Sequence, residues 1–550
     1  MTEMSEEDKK NLFESYPHLR KYVENIREKI GEPVFYSTLP FEAREQAYPN
    51  LIYATKGSVF VHIFRTKDMD EIEYHAIEPS LNDIEKKKYE KLLDSIVKLA
   101  PNKKSVVTDD ELKEVLKEIV NELIIVDEKA EGFDDKKGFL GKFTKSDKIR
   151  ATSIQKNNIE YFLIKNQIGG GAIEPFMRDP YLEDVHIISG ENVHLIHKVF
   201  GMIKTNVQIN KDEAPAFARK LSEKMGATVS EGKPIADGML PDGSRGNVIY
   251  SDTVSIKGPS MTIRKFTETP ISITQLIKWG TLGSNIAAYL WLCSQYGRSF
   301  FICGETACGK TTTMNALLPF IPPEKKIYTA ENTPELTVPH VVWQRLLTKT
   351  TGPKEGQVDL FDLLKAALRS RPDYIIPGEV RGAEGNIVFQ AMQTGHPCIT
   401  TFHAGTLTKV IQRFTGDPIN VPKTFMDNLD FVLIQSALDR DGRRIRRCIS
   451  LDEIEGYNRE VDGVMARTAF EWDPVEDRHI FKANKNSFIL EQKIAKNMGY
   501  VDTAEIYDEY ERRKHILERM VEEEIFDYYE VVQFIWTFYR DGEKALPISI

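Results

Sequence analysis

Eight consecutive residues, Gly304-Glu305-Thr306-Ala307-Cys308-Gly309-Lys310-Thr311, carry glycine, lysine and threonine at the spacing of a phosphate-binding loop. Gly304 and Gly309 let the backbone turn so that successive N–H groups converge on phosphate oxygens, and a helix starting behind them adds its positive end. Lys310 supplies a point charge for the β- and γ-phosphates of a nucleoside triphosphate. The Thr311 hydroxyl suits Mg2+, which takes oxygen ligands. The candidate nucleotide-binding run is therefore Gly304, Glu305, Thr306, Ala307, Cys308, Gly309, Lys310, Thr311 and Thr312, with Thr311 also a candidate metal ligand.

A bound phosphate is not yet a reaction. The segment Asp373-Tyr374-Ile375-Ile376-Pro377-Gly378-Glu379 reads as a buried strand delivering Glu379 to its carboxyl end, where it could hold Mg2+ or orient the attacking water. Lys326 to Asn332 reads as another, ending at Glu331. Two carboxylates beside one metal-bound triphosphate can divide the work of polarising water and holding the metal. Arg345, Arg369, Arg371 and Arg381 are available to balance developing phosphoryl charge. His396 and His403 flank a short strand from Cys398, so the pair is not a chelate, and polar contact with the nucleotide or its neighbours is the expectation for both.

These groups must be held by a sheet. The loop follows the apolar run Ser299-Phe300-Phe301-Ile302-Cys303 and precedes Thr312 to Leu318, which gives strand, loop and helix. Further short apolar strands are expected at Lys326–Thr329, Tyr374–Ile376, Cys398–Thr401 and Phe431–Ile434, separated by helices, as in a parallel sheet covered on both faces. Asp441-Gly442 marks a hairpin, Pro474 a second turn, and Thr503 to Tyr539 two amphipathic helices joined near Glu524. Upstream, residues 150–260 read as a small α/β sandwich: a helix to Ile168 stopped by Gly169-Gly170-Gly171, strands at Asp184–Ile188, Asn192–His197 and Asn247–Ile256, and a helix at Lys211–Met225. The first third reads as charged and helical, notably Asn82–Leu99 and Asp109–Ile125, followed by a polar linker from Asp127 to Lys148.

The chain has 550 residues and a formal net charge of -10, which weighs against a polyanion partner such as nucleic acid. Its five cysteines form no C-x-x-C pair, so buried reduced thiols are expected rather than zinc ligands or disulfides. No run of about 18 apolar residues occurs, and residues 1–12 lack a signal-peptide core. A cytoplasmic protein with at most peripheral membrane contact is expected. Asn210-Lys211-Asp212-Glu213 misses the N-K-x-D guanine-reading pattern and precedes the loop, so it reads as a helix cap and not as GTPase machinery.

In their order, the motifs resemble the secretion and type IV filament ATPases, hexameric RecA-like motors. The resemblance rests on the Walker A loop Gly304–Thr311, an Asp box at Thr329–Leu336, a Walker B strand at Arg371–Arg381 and a His box at Thr394–His403. Upstream strings similar to the family's N-terminal domain are Asp179 to Val185, Leu240 to Arg245 and Ile263 to Phe266. The resemblance implies a RecA-like P-loop ATPase domain (263–550), an N-terminal α/β sandwich (PAS-like) domain (151–262) and a charged helical extension (1–150). It makes Glu331 the catalytic acid of the Asp box and Glu379 the Walker B acid, and the residues themselves add Glu379 as a metal ligand and Lys310, Arg371, Arg381 and His403 as further catalytic candidates. Arg245 and Arg264 are implied to reach the nucleotide, and His396 is a nucleotide-contact candidate from its place beside a strand. Cofactors are then ATP and Mg2+. The partners that the resemblance implies are further copies in a homohexameric ring, a polytopic membrane platform protein and other cytoplasmic filament components. Asn332 stands where the Asp box commonly carries an acid, and the bacterial four-cysteine zinc module is missing. The string Thr401-Phe402-His403-Ala404-Gly405-Thr406, with the long charged N-terminus, is most similar to the archaellum motor ATPases, with archaeal pilus-assembly or secretion ATPases close behind and a nucleic-acid translocase more distant.

Overall fold

Short apolar and β-branched runs recur from the first third of the chain onward, and in the computed structural model they pair into sheets. The structure describes residues 3–37, 39–40, 43–44, 46–55, 57–99, 109–130, 148–266, 269–349, 354–440 and 443–548. The chain divides into two units, Met1–Phe266 and Thr267–Ile550.

In the first unit the strands are β1 (Val34–Tyr36), β2 (Asn50–Ala54), β3 (Phe60–Phe64), β4 (Glu73–Ile77), β5 (Ile124–Val126), β6 (Ile149–Ala151), β7 (Leu182–Ile188), β8 (Asn192–His197), β9 (Gly201–Gln208), β10 (Ile235–Met239), β11 (Arg245–Ile249) and β12 (Ser260–Arg264). Ten of them form one sheet in the order β1-β2-β3-β4-β9-β8-β7-β12-β11-β10, while β5 and β6 pair separately.

The expected break at residue 150 does not coincide with a structural one. Residues 34–77, in a stretch expected to be largely helical, form four strands, because runs such as Val59-Phe60-Val61-His62-Ile63-Phe64 bury every position between two layers. β4 then pairs in parallel with β9, and Asp179, fully buried, accepts from the hydroxyls of Tyr53 (2.7 Å) and Tyr74 (3.0 Å). The helices Asp83–Leu99 and Asp109–Leu123 share a core with the helix Ser153–Gln167 through Leu92, Leu116, Val120, Ile159 and Leu163. Thr152 caps that last helix by accepting from the Gln155 N–H. Of the expected linker Asp127–Lys148, residues 131–147 lie outside the described residues. Beyond Ile249 the expected strand turns away, and residues 252–256 form turns.

The second unit contains β13 (Phe300–Gly304), β14 (Ile327–Glu331), β15 (Trp343–Leu347), β16 (Tyr374–Pro377), β17 (Glu379–Val380), β18 (Ile399–Phe402), β19 (Phe431–Arg440), β20 (Arg443–Asn458), β21 (Gly463–Asp473) and β22 (Arg478–Phe481). Parallel strands run β17-β18-β13-β19, extended by the antiparallel meander β20-β21-β22. A second parallel group, β15-β14-β16, joins the first by a bridge between Ile375 and Cys398. β13, β14, β16 and β18 are buried at every residue, as a parallel sheet between helical layers requires. β19 and β20 flank the expected hairpin turn, whose Asp441 and Gly442 lie outside the described residues. The final helices, Ile506–Glu522 and Tyr528–Asp541, meet where Glu524 adopts a left-handed φ of 57°. Among the described residues, no helix is long and apolar enough to cross a membrane.

Candidate functional site

β13 ends at Gly304, where only glycine fits: a Cβ would stand 2.1 Å from the Gln435 carbonyl oxygen. Ala307 takes φ 61° and Gly309 φ 93°, and the helix Lys310–Leu317 starts directly behind them. Lys310, buried, lays its ammonium back across the loop and donates to the carbonyls of Gly304 (3.1 Å) and Glu305 (2.8 Å). With those carbonyls engaged, and no backbone carbonyl among the described residues accepting from the N–H groups of Glu305, Thr306 or Ala307, the loop has the polarity of an anion-binding nest. Glu305, Thr306 and Ala307 are exposed, Thr311 and Thr312 half-buried, and Cys308 is buried with its thiol pushed up by burial. Thr313 donates to Gln435 Oε1 at 2.9 Å and ties the new helix to β19.

The two carboxylates stand at the carboxyl ends of neighbouring strands. Pro377 has no N–H for the ladder, and the chain leaves β14 there: the Gly378 N–H still donates to Ala330, but the Gly378 carbonyl accepts from the Thr401 hydroxyl of β18. Glu379 follows and pairs with β18. Glu331 is 2 % exposed, and its Oε1 accepts from the N–H groups of Glu335 (2.8 Å) and Leu336 (2.9 Å). Its Oε2 is buried without a hydrogen-bond partner, the Arg345 Nε lying 4.0 Å away. Burial raises the Glu331 carboxyl to about 7 against the pull of those N–H groups and Arg345. Glu379 differs. Its Oε2 accepts from Arg381 Nε (2.7 Å), and its Oε1 lies 2.7 Å from His403 Nε2. His403 Nδ1 stands 3.5 Å from the Lys310 ammonium, and burial, followed by Lys310, lowers its pKa.

A cleft of about 300 Å3 opens over this group, lined by Gly304, Glu305, Thr306, His403, Ala404, Gly405 and Lys409. The residues fit a nucleotide phosphate and a hard cation: glycines where a Cβ would clash, an inturned lysine, and one buried carboxylate oxygen without a donor. Lys310, Glu331, Glu379, Arg381 and His403 are thus brought together at one end of the sheet. His396 and Arg371 are not. In parallel strands the residue before the strand lies at the end opposite the loop, and His396 precedes β18, where it contacts Thr394 Oγ1 at 3.0 Å. Arg371, exposed with a left-handed φ of 46°, likewise precedes β16. Arg245 and Arg264 belong to the first unit, face each other across β11 and β12, and pair with Asp237 (3.0 Å) and Asp184 (3.2 Å). Two groups escaped the sequence reading. Gln435 braces the loop from β19, and Arg446 from β20 donates to the Ala307 carbonyl at 3.2 Å. The one local signal for Gln435 is a polar residue closing the apolar run Phe431–Ile434.

The family model described as "Type II/IV secretion system protein" matches residues 178–524. The chain belongs to this family. The matched segment of this type II/IV secretion family member contains the whole loop, both carboxylates and His403. It is 50% identical over 552 residues to a protein of Methanocaldococcus jannaschii named as uncharacterized, covering 100% of this chain and 99% of that one. It is 27% identical over 312 residues to the type IV secretion system protein VirB11 of Bartonella quintana, covering 50% of this chain and 83% of that one. Among solved structures, the Legionella pneumophila ATPase DotB aligns with a TM-score of 0.38 at 16% identity, covering 66% of this chain and 94% of that chain. In the second unit of this family member β13 lies inside a parallel sheet and the loop's helix follows directly behind it.

Proposed function

We propose that this chain is a Mg2+-dependent ATPase whose turnover drives a type II/IV secretion or type IV filament machine. The observation that carries the reading is Glu331: a buried carboxylate near pKa 7, with one oxygen unpartnered, at the carboxyl end of β14, the strand end at which the loop also follows β13. A carboxylate poised near neutrality is matched to accepting a proton from water. Lys310 and the loop N–H groups hold the β- and γ-phosphates, and Thr311 is the candidate oxygen ligand for Mg2+. Bound Mg2+ supplies charge neutralisation between phosphates. Glu379, tied to His403 and Arg381, connects the phosphate-side lysine to neighbouring charged groups, and as a metal ligand it would first have to exchange those donors. The assignments of Arg245 and Arg264 to phosphate contact stand on the family resemblance alone.

The family membership supports a machine of the secretion class, and the full-length archaeal relative supports an archaeal one. Within that class we assign the chain to a homohexameric ring acting on a polytopic membrane platform protein, with the archaellum motor as the finer reading carried by the Thr401–Thr406 string. Purified protein should hydrolyse ATP with Mg2+, and Lys310→Ala should abolish turnover. Unchanged turnover in that variant would remove the reading. Copurification of the membrane partner, identified as an archaellum, pilus or secretion component, decides among the machines.

A further inference from the structure

The loop carbonyl of Ala307 is held by a residue outside the motifs described above. Lys310 engages the carbonyls of Gly304 and Glu305, and Arg446 engages that of Ala307, the one non-glycine residue of the loop with a left-handed φ. The stem of Arg446 also packs on the loop, with Cδ 3.3 Å from where a Cβ at Gly309 would sit. A left-handed alanine costs about 1 kcal/mol or more and persists only where surroundings hold it. Arg446 is itself fixed. It stands opposite Ala437 in the β19–β20 pair. Its neighbour Arg447, buried, forms a two-pronged pair with Asp477 (2.7 and 2.8 Å) and donates to the carbonyls of Trp279 (3.1 Å) and Arg446 itself (2.8 Å).

We infer that Arg446 is a positioning residue for the nucleotide: by holding the Ala307 carbonyl outward, it keeps the loop N–H groups turned toward phosphate. The inference rests on the ATPase reading above. Its energetic logic is preorganisation. Without the Arg446 bond the loop must be ordered by the nucleotide itself, so affinity falls while the chemical step, carried by Glu331 and Lys310, is left largely intact.

The experiment measures binding of a fluorescent N-methylanthraniloyl ATP analogue, KM and kcat for ATP, and the nucleotide-free melting temperature, in the full chain and in Arg446→Ala and Arg446→Lys. For Arg446→Ala we expect analogue affinity to weaken and KM to rise about tenfold, with kcat changed less than about threefold and the melting temperature unmoved. Arg446→Lys, which retains a donor, should recover part of the affinity. Unchanged affinity in Arg446→Ala overturns the inference, and so does a parallel loss of kcat and melting temperature, which would mark general structural damage. Failure of the wild-type chain to hydrolyse ATP would instead overturn the ATPase reading, while the analogue affinities still judge Arg446.

Discussion

His403 Nε2 stands 2.7 Å from Glu379 Oε1, and the same ring turns its Nδ1 toward the Lys310 ammonium at 3.5 Å. Lysine can only donate, so Nδ1 accepts, and Nε2–H donates a hydrogen bond to Glu379. Burial, followed by Lys310, lowers the imidazole pKa, which favours the neutral ring. The ring therefore couples the loop lysine to the second carboxylate. His403→Ala should lower kcat about 10- to 100-fold, the loss usual when a partner that orients a neighbouring carboxylate is removed, with a smaller change in KM. Steady-state ATPase kinetics check this, and a variant with wild-type kcat would assign the ring a packing role only.

Glu331 predicts a pH profile. If it accepts the proton of the attacking water, kcat/KM should rise with pH to half its maximum near 7, and Glu331→Gln should abolish turnover. The same shift acts on stability with a definite sign. Between the unfolded-chain value of about 4.3 and the native value of about 7, the native state keeps a proton that the unfolded state has released. The contribution of this carboxyl to stability therefore declines as pH rises through that window and is flat above it. Gln can still accept from the Glu335 and Leu336 N–H groups, so Glu331→Gln should stabilise the nucleotide-free protein above pH 7, by up to roughly 3 kcal/mol. Thermal melts at pH 5 and pH 8 test this: an equal offset at both would contradict it.

The loop, both carboxylates, Arg381 and His403 were legible because each belongs to a local pattern, an apolar strand followed by a polar residue at its carboxyl end. The misplacement of His396 and Arg371 came from treating both flanks of a strand alike, although in a parallel sheet only the carboxyl flank lies beside the loop. Gln435 and Arg446 follow the loop by more than 120 residues, and their roles arise from β19 lying beside β13, a long-range pairing that spacing does not encode. The strands of residues 34–77 were hidden differently. Three or five residues each, they lie among charged segments whose helical periodicity dominates a window of that width.

Gly304 predicts a steric failure. Its absent Cβ would fall 2.1 Å from the Gln435 carbonyl oxygen and 2.5 Å from the Cys308 thiol, and the first of these is backbone that cannot swing aside. Gly304→Ala should therefore separate β13 from β19 at the loop, abolish nucleotide binding and lower the melting temperature. Gly309→Ala meets only side chains, at 3.1 Å from Gln435 Nε2 and 3.3 Å from Arg446 Cδ, but must adopt a φ of 93°. It should reduce affinity while leaving a cooperative melt. Equal behaviour of the two variants would mean that backbone conformation, not the clash with Gln435, governs this turn.

Asp477 ties the β21–β22 turn to the strand that braces the loop. Its hydrogen bonds from Arg447, with help from Trp472 and the charges of Arg447 and Arg440, hold the carboxyl down to about 2. An unfolded aspartate titrates near 3.9, so this pair contributes stability above about pH 4 and loses it as the pH falls toward 2. Asp477→Asn leaves the buried Arg447 guanidinium with a weaker acceptor, which should cost about 1–3 kcal/mol at pH 7. The difference between variant and wild type should shrink as the pH falls through that window, because protonation removes the charge that the substitution deletes. Denaturant midpoints at pH 7 and near pH 2.5 measure it. A difference independent of pH would assign the pair's effect to the shape of the turn and not to its charge.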